Sequence, residues 1–295
     1  LVGDRALLER ALSGVPGALR TRIRIRHTSQ VVAMDESPSQ ALRAKRDSSM
    51  RVAINLVKEG EAGACVSAGN TGALMATAHH VLKMLPGIDR PAICSAIPDL
   101  VDKTYVLDLG ANADCEVEHL VQFAAMGSAL VSALDDNPAP RIGLLNIGEE
   151  QTKGNERVKR AARILQGSQL NYTGFVEGHH LSTGVVDVIV TDGFTGNIAL
   201  KTAEGTAKMI GAFLKQALYS STLSKIGGLL AKPALDDLSK RFDPRRHNGA
   251  MFLGLNGICI KSHGSADALG FASALGVAVE LISSKLNDVI KEDLS

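Results

Sequence analysis

Short β-branched apolar runs alternate along the chain with longer stretches whose apolar residues recur every three or four positions, and glycines and small polar residues stand at the joins. A period of two giving way repeatedly to one of 3.6 predicts strands and helices in turn, the pattern of an α/β protein. Strands are expected at 22–27, 64–68, 92–97, 105–109, 141–147, 172–176 and 186–190, with two short strands around a turn in 250–260. Helices are expected at 40–58, through His80, and at 114–134, 156–165, 198–219 and 267–290. Pro38 suits the start of the first of these. Its apolar periodicity sets in only at Val52, so a break near Ser48-Ser49 is expected. Leu1-Val2-Gly3-Asp4 reads as a strand end running into a helix, which implies an earlier part of that unit.

The densest signal is Val186-Asp187-Val188-Ile189-Val190-Thr191-Asp192-Gly193-Phe194-Thr195-Gly196-Asn197, read as strand, tight loop and helix start. In open α/β sheets ligands collect at the carboxyl ends of strands. Glycines there allow close backbone approach, and the free amides of a first helical turn favour an anion. Lys201, one turn further on, adds a positive charge. A purely structural β-turn-α connection explains the same residues. Gly69-Asn70-Thr71, after the strand at 64–68, offers amides, a side-chain amide and a hydroxyl in the same kind of place. It matches neither the Gly-Lys-Ser/Thr phosphate loop nor G-x-G-x-x-G. Asp108, Glu149 and Asp192 at other strand ends raise Mg²⁺ as a minor alternative, but carboxylates there serve equally as caps, and no metal or other cofactor is expected.

The stretch 215–248 departs from the α/β rhythm. Leu223, Ile226, Leu229 and Leu230 surround Gly227-Gly228 and are flanked by Lys225 and Lys232. A second amphipathic helix is expected at about 234–242. An apolar tip with basic edges suits shallow contact with an anionic membrane, and it suits packing in a dimer as well.

Composition narrows the classes. With a formal net charge of +1, three Tyr, seven Phe and no Trp, the chain has neither the basic field nor the aromatic platforms of a nucleic-acid binder. Cys65, Cys94, Cys115 and Cys259 form no C-x-x-C pair and read as buried thiols. With no run of 18 apolar residues and nothing like a signal peptide, a cytoplasmic location is expected, with peripheral membrane attachment open.

Ser67-Ala68-Gly69-Asn70-Thr71-Gly72-Ala73, Asp108-Leu109-Gly110-Ala111-Asn112, Asn146-Ile147-Gly148-Glu149-Glu150 and Asp192 through Asn197 occur together and in order. Leu200-Lys201 with Glu204-Gly205, and Lys261-Ser262-His263-Gly264, complete the set. With these motifs the chain resembles, over nearly its whole length, the bacterial phosphate acyltransferases of fatty acid and phospholipid synthesis. Members convert acyl-acyl carrier protein and inorganic phosphate to acyl phosphate. The resemblance implies a three-layer α/β/α Rossmann-like fold of the isocitrate/isopropylmalate dehydrogenase kind, with a protruding helical pair. It implies one α/β acyltransferase domain over 1–295, a helical hairpin subregion at 215–248, a homodimer and peripheral membrane contact. Members begin with a strand and a Gly-Gly-Asp loop, which this sequence does not include.

The expected chemistry is reversible transfer of a long-chain acyl group from a phosphopantetheine thioester to phosphate. Phosphate is expected at Gly69, Asn70, Thr71, Gly193, Thr195, Gly196 and Asn197. Lys201, Lys261, His263 and Asp192 are the candidate catalytic groups: the lysines offset negative charge, His263 protonates the leaving thiolate, and Asp192 orients a donor. No Ser-His-Asp or Cys-His arrangement points to an acyl-enzyme. Arg43, Arg46, Arg51, Arg157, Lys159 and Arg160 are candidates for docking the acidic carrier protein. The rival readings are a phosphate acetyltransferase using coenzyme A thioesters and a non-catalytic carrier- or membrane-binding scaffold.

Overall fold

A computed structural model describes residues 1–241 and 243–293. The chain packs as two compact units, residues 1–91 together with the chain from Gly249 onward, and Ala92–Asn248, where the sequence reading treats it as one domain.

In the first unit β1 (Val2–Gly3) runs into α1 (Arg5–Ala11) through Asp4, whose carboxylate accepts from Leu7 N–H at 2.9 Å. After α2 (Gly17–Arg20), β2 (Arg26–His27) pairs in parallel with β1. The strand expected over 22–27 thus forms only at its end. The helix expected at 40–58 is two: α3 (Pro38–Ala44) and α4 (Ser49–Lys58). Ser48 divides them, its hydroxyl accepting from Arg51 N–H at 3.3 Å, so the weak periodicity there marks an N-cap. Then come β3 (Ala64–Ser67) and α5 (Thr71–Leu82). The side of α5 carrying Ala73, Leu74, Thr77, Ala78, Val81 and Leu82 is buried, a stripe at helical spacing.

The second unit holds β4 (Ala92–Pro98), β5 (Lys103–Leu107), α6 (Val117–Asp135), β6 (Ile142–Leu145), α7 (Glu156–Gln166), β7 (Tyr172–Val176), a 3₁₀ turn at Gly178–Ser182, and β8 (Val188–Val190). Its strand order is β4-β5-β8-β6-β7. Only β4 runs antiparallel to its neighbour, so β5, β8, β6 and β7 end on one edge. The fully buried Val188, Ile189 and Val190 show why the strand reads as an unbroken apolar run. α6 is long and apolar enough to cross a membrane, yet most of it is buried inside the protein, against β5, β8 and α7, as expected for a core helix.

After β8 the unit extends α8 (Gly193–Tyr219), α9 (Thr222–Leu230) and α10 (Lys232–Arg241). α8 begins at Gly193 rather than at 198, so the stretch that reads as a tight loop is the first turn of a helix. α10 corresponds to the helix expected at about 234–242, and Phe242 lies outside the described residues.

The chain returns to the first unit as β9 (Ala250–Leu253) and β10 (Ile258–Lys261). They pair antiparallel, and β10 lies parallel to β3 with Lys261 opposite Ser67. The helix expected at 267–290 is α11 (Ala268–Ser283) and α12 (Leu286–Asp293). Lys285 turns the chain between them in the left-handed region at φ 52°, a break that no glycine or proline announces. All four cysteines are buried thiols outside any disulfide.

Candidate active site

In the second unit the loops after the parallel strands share one edge of the sheet. The organising residue after β5 is Asp108, fully buried and following a cis peptide from Leu107. Its Oδ1 accepts from the amides of Ile93 (2.9 Å), Gly110 (3.2 Å) and Ala111 (2.9 Å). Its Oδ2 accepts from Asn112 N–H at 2.7 Å and Asn112 Nδ2 at 2.9 Å. Burial raises the Asp108 carboxyl, while the hydrogen bonds from Ala111, Ile93 and Asn112 lower it. Every partner is an N–H donor, so the anion is the form this geometry fits.

That loop carries the start of α8. A methyl group on Gly196 would stand 2.0 Å from the Asp108 carbonyl oxygen, and one on Gly193 would stand 2.7 Å from the Asn112 carbonyl oxygen. These glycines therefore let a helix end sit on a backbone loop of its own unit. The amide of Gly193 donates to Asn112 O at 2.8 Å and that of Gly196 to Asp192 O at 2.9 Å. Asp192 is the N-cap: Oδ1 accepts from Thr195 N–H and Oδ2 from the Thr195 hydroxyl, both at 2.8 Å. Gly193, Thr195, Gly196 and Asp192 thus all have structural partners, and the side chain of Asn197 lies over Gly110. Lys201 is exposed and paired with Glu204 at 2.9 Å.

One pairing on this edge escapes sequence reading. His180 Nδ1 accepts from Glu177 N–H at 3.1 Å, which leaves the ring proton on Nε2, 3.5 Å from Glu149 Oε1. The two residues follow β6 and β7, which are adjacent. Only the strand order brings them together, and no local motif contains it. Among the described residues no group of three or more His, Cys, Asp or Glu is arranged to hold a metal ion.

The first unit gathers the other predicted residues. Past the β3–β10 pair, Ser262 N–H donates to Ser67 O at 2.9 Å, so Lys261, Ser262 and His263 flank the Ser67–Thr71 loop. Lys261 is half-buried, its Nζ donating to the Ser262 carbonyl, and burial holds its ammonium below the usual lysine range. His263 is exposed, with Nδ1 hydrogen-bonded by Ser265 N–H (3.2 Å) and facing the Ser265 hydroxyl (2.9 Å), which puts the ring proton on Nε2. Asn70 is a staple. Oδ1 caps α5 through Ala73 N–H at 3.0 Å, and Nδ2 donates to the carbonyls of Ala33, Met34 and Glu36. Its side chain is fully engaged, while Thr71 at the start of α5 is exposed and Gly69 donates to Ser67 Oγ at 3.2 Å.

The basic residues expected to dock a carrier fall into two groups. Arg157 pairs with Asp114 and also donates to the Cys115 carbonyl, and Lys159 pairs with Glu156 at 2.6 Å, so these two predicted docking residues of α7 each have a carboxylate partner. Arg43, Arg46 and Arg51 line a cavity in the first unit.

The fold is similar to that of two solved phosphotransacetylases. It matches a phosphotransacetylase from Streptococcus pyogenes with a TM-score of 0.60 at 16% identity, covering 96% of this chain and 85% of the other. The EutD phosphotransacetylase from Staphylococcus aureus gives 0.56 at 12%, with the same coverages. Both support a three-layer α/β/α fold with a mixed central sheet. In sequence, the family model described as fatty acid synthesis protein matches residues 1–289. A phosphate acyltransferase from Methylococcus capsulatus is 55% identical over 295 residues, covering all of this chain and 87% of the relative. One from Nitrosococcus oceani is 58% identical over 279 residues, covering 95% of this chain and 82% of the relative. The chain belongs to the phosphate acyltransferase family, enzymes of lipid synthesis that move acyl groups to or from phosphate.

Proposed function

We propose that the chain transfers a long-chain acyl group between the phosphopantetheine thioester of an acyl carrier protein and inorganic phosphate, yielding acyl phosphate for phospholipid synthesis. Beyond family membership, the observation that carries this reading is Lys261, a half-buried ammonium at a strand end with no carboxylate partner among the described residues. A dianionic nucleophile and a carbonyl that becomes an oxyanion both need such a charge in a partly water-excluded place. A phosphate oxygen attacks the thioester carbon, and the tetrahedral intermediate collapses with loss of the C–S bond. The hydrogen phosphate proton ends on the departing sulfur, and His263, whose neutral ring donates from Nε2, can hydrogen-bond the developing thiolate. Lys201, exposed and paired with Glu204, is the weaker candidate. In the first unit, phosphate contact falls to Thr71, which is exposed beside the fully engaged Asn70.

The deciding experiment follows phosphate-dependent loss of a long-chain acyl-acyl carrier protein with direct detection of acyl phosphate. Product is expected. Turnover with acetyl-coenzyme A alone would move the reading to a phosphate acetyltransferase, and none with either thioester would move it to a binding scaffold.

The reading extends to α8–α10. Ile210 and Phe213 on α8 are 59% and 62% exposed, an apolar face suited to a second copy of the chain. At the far end Leu223, Ile226, Leu229 and Leu230 are also exposed, between Lys225 and Lys232, and suit a shallow anionic lipid contact. Replacing Leu229 and Leu230 with serine is expected to lower co-sedimentation with anionic vesicles several-fold without changing the solution mass. A drop in mass instead would assign the tip to the dimer.

A further inference from the structure

In the first unit α3, the connection after it, α4 and α5 border an open cavity of about 510 Å³ lined by Leu42, Arg43, Arg46, Arg51, Asn55 and His80, of which Arg43, Arg46 and His80 are exposed. Arg43 stands in the last turn of α3, Arg51 in the first turn of α4 and His80 in the last turn of α5. Among the described residues no carboxylate pairs with any of the three arginines. The acids nearest in sequence are engaged elsewhere: Glu36 holds Lys45 at 2.6 Å, and Asp47 accepts from Ser29 N–H and Oγ. Some basic side chains elsewhere do have carboxylate partners, as in Arg141–Asp187 and Lys103–Asp135.

The uncompensated charge is felt inside the cavity. Burial first, and then Arg46, lowers the pKa of Arg51. Desolvation first, and then Arg51, Lys83, Lys58 and His79, lowers that of His80. Three arginines lining one cavity, none of them paired with a carboxylate among the described residues, offer guanidinium donors to a phosphate group, which accepts several N–H donors at once. Asn55 adds an amide that can both donate and accept.

The position of the cavity selects the kind of phosphate. His80 lies ten residues beyond Asn70 on one helix, a rise of about 15 Å. A phosphate held beside His80 stands toward the opposite end of α5 from Thr71. It can hold the non-reacting end of a long substrate, whose binding energy then serves to place the distant thioester. We propose that the Arg43–Arg46–Arg51 cavity binds the phosphate of the phosphopantetheine arm, with the arm running along α5 toward Thr71 and Lys261. The assignment rests on the carrier-thioester reading above and gives that substrate its second anchor.

Calorimetry on the chain, with pantetheine 4′-phosphate, pantetheine and inorganic phosphate as probes, tests the site without turnover. Pantetheine 4′-phosphate is expected to bind, and dephosphorylated pantetheine at least tenfold more weakly. Arg46→Gln and Arg51→Gln should each weaken the first probe about tenfold or more, as loss of a charge-assisted hydrogen bond implies. Arg51→Lys, which keeps the charge and loses the fork, should recover part of that loss. In steady state the same glutamine variants should raise KM for carrier-borne thioester and not KM for phosphate. Inorganic phosphate binding as tightly as the ester, with the same arginine dependence, would overturn the assignment. So would equal weakening of carrier protein with and without its prosthetic group, which would make the arginines readers of acidic side chains. Binding of pantetheine 4′-phosphate with no acyl transfer would remove the proposed reaction and leave the cavity assignment standing.

Discussion

Lys261→Met is expected to lower kcat by about two orders of magnitude or more, the usual consequence of removing one preorganised donor from a developing oxyanion, and to leave the fold intact. The methionine fills much of the same half-buried space, so lost activity would not reflect lost packing. Burial lowers the pKa of Lys261, which means the folded chain releases this proton at a lower pH than the unfolded chain does. Between the two values the unfolded state binds more protons, so this residue makes the protein more stable as pH rises through that interval. At neutral pH the ammonium is a charge held partly out of water, and Lys261→Met should match or exceed the parent in thermal stability. The parent should also lose kcat on the alkaline side before an ordinary lysine would titrate, at about pH 10.4, and Lys261→Arg should shift that limb upward or abolish it. The checks are a pH–rate profile and a melting curve on the same three proteins. A methionine variant with parental kcat would take Lys261 out of the mechanism, and one that loses activity and melting temperature together would make its role structural.

What was legible in the sequence was whatever is written locally. The apolar runs at 64–68, 172–176 and 186–190 each form a strand, and Val188–Val190 is buried throughout. The loss of periodicity at Ser48 is a helix cap. Three features were not legible, each for a physical reason. The start of α8 reads as a glycine-rich loop because glycine is a poor helix former; what keeps Gly193 and Gly196 in a helix is the backbone of the Asp108–Asn112 loop pressed against them, a tertiary contact. The turn at Lys285 rests on a left-handed residue of no special type. The pairing of His180 with Glu149 depends on β6 and β7 being neighbours. For the site, the sequence named the strand-end motifs but not which of their groups already have partners. Asn70 looks like a phosphate ligand and its side chain staples two loops, whereas Lys261, a lone lysine after an apolar run, has no carboxylate partner among the described residues.

Asp108→Ala is expected to be among the most damaging single substitutions in the second unit. It removes one acceptor group from five N–H donors at once, in a place with no access to solvent. A buried donor left without a partner costs about 1–3 kcal/mol, and these losses overlap because the loop can rearrange. Loss of about 3–5 kcal/mol, the range for breaking a buried charged interaction, is the reasonable sum, and it corresponds to a fall in melting temperature of roughly 10 °C. Asp108→Asn separates charge from shape. Its single carbonyl oxygen can keep the Ile93, Gly110 and Ala111 amides, but its NH₂ must then face the Asn112 N–H and Nδ2 donors, so it should destabilise nearly as much despite being isosteric. The damage should spread along the chain in a specific order. The first turn of α8 rests on this loop through Gly193 and Gly196, so hydrogen exchange should rise first at Gly110–Asn112, then at Gly193–Gly196, and only with global unfolding in β8. An Asp108→Ala protein that keeps its melting temperature and its slow exchange at Gly193 would show that α8 is held by something other than this loop. The two glycines would then have to be explained by close approach of a ligand after all.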